Sequence, residues 1–401
     1  MKRILIFIIL LLLFGYKAFS NDPLRDYLET QIRYWGIHEK VNADNLDRLV
    51  ALKRKADQAG LSQEERTKAY TDLFQFVQKL RGLPEGRVPA QMAVAYWSEG
   101  ESAIPPTRAS SKPGQLGNYI KRGSGKIPMI LIPNIGTDWS VFDSFIQRNQ
   151  SRFTFFAVTL PGCGGTNPPP RPPKMDFGAM QWWNNASDAV LNLMKKEKID
   201  RPLILGHQAG AYLAMKIALE HPELSRGVVA LNGLLSAPMP AIPPNATVAD
   251  RIRIMNSSTP AELFPHPSQS KYLEVMLQSA PWFCKNKARQ GAIARLTTRT
   301  EPAVWWNYFA ELATTDLTGD IKNIKVPMLA LPSIYDADSP DAPGFQMSKV
   351  AQDQWIPLDH SNSSLPITVI KMENCRAYAT EDQPAKLDEV LAAWSDKISR
   401  E

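Results

Sequence analysis

The stretch RPLILGHQAGAYLAMKIALEHPELSRGVVALNG, Arg201 to Gly233, changes its hydrophobic period twice. Pro202 to Leu205 is an apolar run closed by Gly206, too short for a helix and shaped like a strand buried on both faces. After the turn GHQAG, apolar residues recur at Ala211, Leu213, Ala214, Ile217 and Ala218 with helical spacing, and the pattern stops before Pro222. Gly227 to Leu231 is a second apolar strand. Strand, tight turn, helix and strand make a crossover unit, which implies a parallel sheet with helices packed on it.

Outward from this unit, Gln115 to Arg122 and Ile127 to Ile132 read as strands joined by a Gly-Ser-Gly turn, Phe153 to Leu160 as a third strand and Met175 to Glu197 as a helix. Downstream, Val326 to Leu331 returns to strand, Gly344 to Trp355 is helical and Pro366 to Met372 is the last strand. Pro384 to Ile398 is the closing helix, with Leu387, Val390, Leu391 and Trp394 on one face. Between the two blocks, Ser236 to Asp320 breaks the rhythm and is rich in aromatics, among them Phe264, Tyr272, Trp282, Phe283, Trp305, Trp306, Tyr308 and Phe309. The N-terminal part reads differently. Leu46, Leu49 and Val50 form one helical stripe and Leu73, Phe74, Val77 and Leu80 another, with Ser62 and Glu65 as a capping box and a turn at Gly60.

The chain has 401 residues, 44% of them hydrophobic, enough to bury a full core. Its 46 basic and 40 acidic residues leave a net charge of +6 without long runs, which suits solubility and excludes a nucleic-acid footprint from the expectations. Lys2 and Arg3 precede an apolar run from Ile4 to Phe14, and Ala18-Phe19-Ser20 offers small residues for cleavage, so residues 1–20 read as a secretory signal peptide. A periplasmic or secreted protein is expected, with no stable membrane span after cleavage. Export would expose Cys163, Cys284 and Cys375 to an oxidising compartment, where an odd count leaves at least one unpaired. No C-x-x-C spacing occurs and the histidines are scattered, so no metal and no cofactor is expected.

The GHQAG turn between strand and helix resembles the G-x-S-x-G elbow of the α/β-hydrolase family. PGCGGT, Pro161 to Thr166, resembles that family's D-x-P-G-x-G-x-S turn, with Thr159 in place of the aspartate. ENCRAYATEDQP, Glu373 to Pro384, resembles the segment that carries the catalytic histidine. The resemblance spans roughly Gln115 to Lys397 and implies the family's fold: a mostly parallel sheet with helices on both faces and a helical cap inserted over it. The expected organisation is signal peptide 1–20, helical extension 21–83, linker 84–114, core 115–235, cap 236–320 and core 321–401.

The same resemblance places chemistry. Gln208 stands at the nucleophile position, Asp336 at the acid position, with Asp338 an alternative, and Ala377 at the histidine position when the segment is aligned on Asp382-Gln383-Pro384. A carboxamide has no proton that a base could remove, and a methyl group carries none at all. Pro133-Asn134-Ile135-Gly136 stands where the family has its oxyanion loop, so the backbone N–H groups of Ile135 and Ala209 are the candidate oxyanion donors. Of the five histidines, His207 and His266 are the two placed to reach such a crevice, and His207 matches a packing position of the family. The expectation is a non-catalytic protein that binds a small apolar or ester-like ligand at Gln208, Ala209, Asn134, Ile135, Asp336 and Tyr378, or a protein partner through the helical extension, without hydrolysing either. The alternative is an active hydrolase or cofactor-free lyase with non-standard residues, Asp336 as base and Tyr378 as acid, or more weakly Cys163 as nucleophile.

Overall fold

The computed structural model describes residues 42–80, 110–170, 176–237, 245–257, 276–335 and 343–400, a few single positions apart. The expected signal peptide, most of the linker, Phe264, Tyr272, Asp336 and Asp338 lie outside the described residues. Among the described residues, seven strands form one sheet in the order β1-β3-β2-β4-β5-β6-β7. They are β1 (Asn118–Arg122), β2 (Ile127–Ile132), β3 (Phe153–Thr159), β4 (Leu203–His207), β5 (Gly227–Leu231), β6 (Met328–Leu331) and β7 (Ile367–Val369). Only the β1–β3 pair is antiparallel; every other pair in this sheet is parallel. The helices are α1 (Ala43–Ala56), α2 (Gln63–Leu80), α3 (Asp143–Asn149), α4 (Gln181–Glu197), α5 (Ala209–Glu220) and α6 (Val248–Ser257). They continue with α7 (Lys287–Thr297), α8 (Pro302–Ala313), α9 (Pro343–Trp355), α10 (Ala379–Asp382) and α11 (Pro384–Ile398).

The period of two along each strand separates the apolar side chains into two layers. Ile130, Ile132, Phe156, Val158, Ile204, Val228 and Ala230 face one layer, shared with α4 and α5. Met129, Leu131, Phe155, Ala157, Leu203, Leu205, Val229 and Leu231 face the other, shared with α3 and α11. Central strands with both faces covered must be apolar throughout, which is why β4 and β5 read as unbroken hydrophobic runs.

Several elements are shorter than their sequence patterns. Gln115 to Gly117 lie outside β1, and the helix expected from Met175 begins at Gln181, after a 3-10 turn over Phe177–Ala179 that Asp176 caps through the Gly178 N–H. The last strand pairs over Ile367–Val369 and returns as a single bridge at Met372.

The stretch expected to form a cap carries α6, α7 and α8, and these three helices fall in one compact unit with the sheet. α8 is fixed by Glu311, a carboxyl group 2% exposed that accepts the backbone N–H groups of Trp182 at 3.0 Å and Trp183 at 3.1 Å. The Trp183 indole N–H donates to the Tyr308 carbonyl at 2.8 Å, and the Tyr308 hydroxyl to the Pro161 carbonyl at 3.0 Å. Of the cap aromatics expected to shape a pocket, Trp306 and Tyr308 are therefore core, whereas Trp305 and Phe309 are half-buried and stacked at 4.8 Å.

The two N-terminal helices fall in a separate unit. Leu46, Leu49, Val50, Leu73 and Phe76 are buried, the Arg48 guanidinium lies 4.5 Å over the Phe76 ring, and Glu65 and Ser62 form the capping box. No described helix is long and apolar enough to cross a membrane.

Candidate functional site

The GHQAG turn joins β4 to α5, and its shape is set by how little room there is. A Cβ on Gly206 would lie 2.2 Å from the Gly210 carbonyl oxygen, and one on Gly210 would lie 2.5 Å from the carbonyl oxygens of both Ile132 and Pro133. Hence glycine is required at both places. Between them Gln208 takes φ 50° and ψ −115°, a conformation that an L residue with a side chain reaches only under strain. Its own N–H donates to the Leu231 carbonyl at 2.9 Å, so the turn is tied to the end of β5. The Gln208 side chain is half-buried and makes no hydrogen bond to the described residues.

The oxyanion loop is beside this turn but is already engaged. The Ala209 N–H donates to the Asn134 side-chain oxygen at 3.3 Å. Asn134 also accepts at its carbonyl from the Thr137 N–H and hydroxyl, at 3.2 and 2.9 Å. The Gly136 N–H donates to the Cys163 sulfur at 3.4 Å, and Gly136, at φ 88°, leaves room for the Trp305 indole, which a Cβ there would approach to 2.9 Å. Ile135 is buried in the layer shared with α4 and α5. One of the two expected oxyanion donors is thus occupied by a side chain of the neighbouring loop.

Period two sends His207 to the opposite face of β4 from Gly206, away from α5. It is 1% exposed, with its ring 4.4 Å from that of Tyr378 and 6.4 Å from that of Phe142. Its Nε2 lies 2.8 Å from the Ala377 carbonyl, and since a carbonyl only accepts, this nitrogen carries the proton. Nδ1 is buried without a partner. Burial holds the imidazole down at about 4, so it is neutral at physiological pH. The Asn232 side-chain N–H reaches the same Ala377 carbonyl at 3.4 Å, and Asn232 itself sits at φ 50° at the end of β5.

The sequence-derived positions therefore meet in part. Gln208, Ala209 and Asn134 are brought together, and Ala377 lies behind them through His207. Tyr378, expected to contact a ligand, is 3% exposed, and burial raises its pKa. Cys163, the weak alternative nucleophile, is fully buried and pushed up to about 12 by burial, so it is a thiol and not a thiolate. Cys284 and Cys375 are likewise buried, with pKa values raised to about 12, and none of the three cysteines is paired. His221 and His360 sit part-exposed away from the elbow, and His38 and His266 lie outside the described residues. No cluster of metal-ligating side chains occurs among the described residues.

Two residues of the site carry roles that the sequence reading misses. The sequence singles out Asn134 for its place in the oxyanion loop, but its side chain is the group that reaches Ala209. Asn232 reads as a mere strand end, although an Asn-Gly pair directly after a buried parallel strand marks a turn at the sheet's C-terminal edge, where open α/β sheets bind ligands. A shallow surface depression at the end of α11, lined by Ala393, Asp396, Lys397 and Arg400, does not touch the elbow.

Comparison with known proteins agrees with this fold. The alpha/beta hydrolase family model matches residues 129–384. A 2-(acetamidomethylene)succinate hydrolase of Mesorhizobium japonicum is 28% identical over 115 residues, 29% of this chain and 38% of that protein; the match thus spans little more than a third of the relative's length. Among solved structures, an enol-lactonase from Burkholderia xenovorans LB400 superposes with a TM-score of 0.51 at 13% identity, over 70% of this chain and 96% of that one. A hydrolase from Pseudomonas aeruginosa PA01 gives 0.51 at 17% identity, over 69% and 92%. At such identities the structures attest the fold alone.

Proposed function

The chain belongs to the alpha/beta hydrolase family, and from that premise we propose that it is a member that binds a small ligand at the elbow without hydrolysing it. The observation that supports this reading is the strained turn at Gln208, a carboxamide at the position that the resemblance assigns to the nucleophile. Gln208 offers neither a hydroxyl nor a thiol to deprotonate. The imidazole next to it in sequence is buried, neutral and committed to the Ala377 carbonyl. The half-buried Trp305 and Phe309, stacked on each other near the Gly136 loop, suit an apolar ligand body under the cap. Export rests on the sequence alone, through Lys2, Arg3 and the apolar run that follows them.

The hydrolase names of the matched relatives favour a second reading, an active enzyme with replaced machinery. Incubating the intact protein with a fluorophosphonate and a panel of short p-nitrophenyl esters separates the two. Neither labelling nor turnover is expected, and Gln208→Ser combined with Ala377→His is expected to restore measurable turnover. Turnover by the natural chain would overturn the non-hydrolytic reading.

A further inference from the structure

Three carboxamides surround the elbow. Gln208 projects from the strained turn; Asn134 approaches from the β2 loop and holds the Ala209 N–H; Asn232 ends β5, the strand whose Leu231 carbonyl receives the Gln208 N–H. All three are half-buried. Each retains unused hydrogen-bonding capacity. With Asn134 Oδ1 on Ala209, its Nδ2 is a free donor; with Asn232 Nδ2 on the Ala377 carbonyl, its Oδ1 is a free acceptor; and Gln208 has both.

The charge of the surroundings is low. His207 is neutral, Tyr378 stays protonated, and Asp138, close to the Asn134 loop, is paired with Arg299 at 3.1 Å. A carboxylate ligand would meet no unpaired cation among these groups. An ester would satisfy the donors but leave the Gln208 and Asn232 oxygens without a proton. A group that carries an N–H beside a C=O satisfies both kinds of end.

We propose that the Asn134, Gln208 and Asn232 carboxamides form a recognition site for a neutral amide group, so that the ligand is an acyl amide rather than an ester or a carboxylate. This deepens the binding reading above and rests on it. Asn134 is then a specificity-determining residue: by filling the Ala209 N–H from within, it removes the donor that a ligand carbonyl would take alone and shifts recognition to paired side-chain contacts.

The test is a ligand-observed NMR titration of the full chain with three probes of one acyl length: hexanamide, methyl hexanoate and sodium hexanoate. Hexanamide is expected to bind about tenfold more tightly than the ester, the worth of one extra neutral hydrogen bond in a partly desolvated site. Gln208→Met, which keeps length and removes the amide, is expected to abolish that preference by weakening hexanamide more than the ester, with the thermal melting midpoint unchanged. Equal or tighter binding of the ester or the carboxylate overturns the inference, as does an amide preference that survives Gln208→Met, or absence of hexanamide binding up to its solubility limit. Release of methanol from the ester is a separate outcome: it would sink the non-hydrolytic reading itself and is read in the same spectra.

Discussion

The first turns of α5 and α4 pack together through Tyr212 and Trp183, whose rings are 5.2 Å apart, and the two helix N-termini are completed in opposite ways. At α5, inside the crevice, the first amide receives the neutral side-chain oxygen of Asn134. At α4, inside the protein, the first amides receive the carboxyl group of Glu311. A helix N-terminus favours an anion, and the one at an elbow is placed where negative charge develops during acyl transfer. Here the acidic group sits at the terminus inside the protein, where burial raises it to about 7, and the elbow terminus meets a neutral carboxamide.

The largest effect is expected where the elbow's backbone is closest. Gly210→Val puts a branched side chain where even a Cβ would lie 2.5 Å from two carbonyl oxygens of the loop after β2. Rigid backbone on both sides leaves no rotamer to escape into. Destabilisation above about 4 kcal/mol is expected in urea unfolding, or loss of soluble protein. A variant within about 1 kcal/mol of the parent, small beside the usual cost of core overpacking, would mean that α5 is not wedged against β2 as described.

The next effect sets the two regions against each other through pH. Burial raises Glu311 to about 7 from an ordinary 4.5, so between these values the folded state binds its proton more tightly than the unfolded chain does. That contribution is full below pH 4.5 and is lost as pH rises through 7. Burial lowers His207 from 6.5 to about 4, so the unfolded chain binds that proton more tightly, and stability is lost as pH falls from 6.5 towards 4. Each spans on the order of 3 kcal/mol, at about 1.4 kcal/mol per pKa unit. The two slopes oppose each other over the shared window from pH 4.5 to 6.5. Glu311→Gln is expected to unmask the loss on acidification, and His207→Gln the loss on the neutral side, in urea unfolding midpoints measured across that range. Parallel curves for both variants and the parent would show that neither group titrates as its burial implies. Glu311→Ala goes further, because it leaves the buried Trp182 and Trp183 amides without an acceptor, at about 1–3 kcal/mol each.

These regions also differ in how much the sequence reveals. β4, α5 and β5 are legible because a doubly covered strand is apolar at every position and the following helix at every third or fourth, and the glycines of GHQAG stand where α5 comes too close for any Cβ, Gly206 against α5 and Gly210 against the end of β2. Pro384, the end of the Asp382-Gln383-Pro384 segment on which the Ala377 register rests, opens α11 as its position just after a helix boundary requires. The contacts between distant stretches are not legible. Glu311 and Trp182 are far apart in the chain, and a glutamate within PAVWWNYFAELA reads as one polar residue on an apolar helix until α4 is brought against it. Likewise the Asn134 side chain finds Ala209 only once β2 and β4 are neighbours, in the register that pairs Ile132 with Gly206. Periodicity carries which face a residue occupies; it does not carry what the face meets.

The smallest predicted change bears most directly on function. Holding a non-glycine residue at φ 50° and ψ −115° costs on the order of 1–3 kcal/mol, which glycine would relieve at the expense of about 0.5–1 kcal/mol of extra chain entropy. Gln208→Gly is therefore expected to raise stability by about 1 kcal/mol in urea unfolding, the difference between those two effects. Asn232→Gly serves as the contrast: its φ is also 50°, but asparagine tolerates positive φ better, so little gain is expected there. If the Gln208 carboxamide has a ligand to hold, affinity must run in the opposite order to stability, with hexanamide bound more weakly by the Gln208→Gly variant than by the natural chain. A variant that is both more stable and equally able to bind would leave the strained turn without a purpose, whereas a gain in stability tied to a loss in affinity is the behaviour of a site whose strain is kept for its side chain.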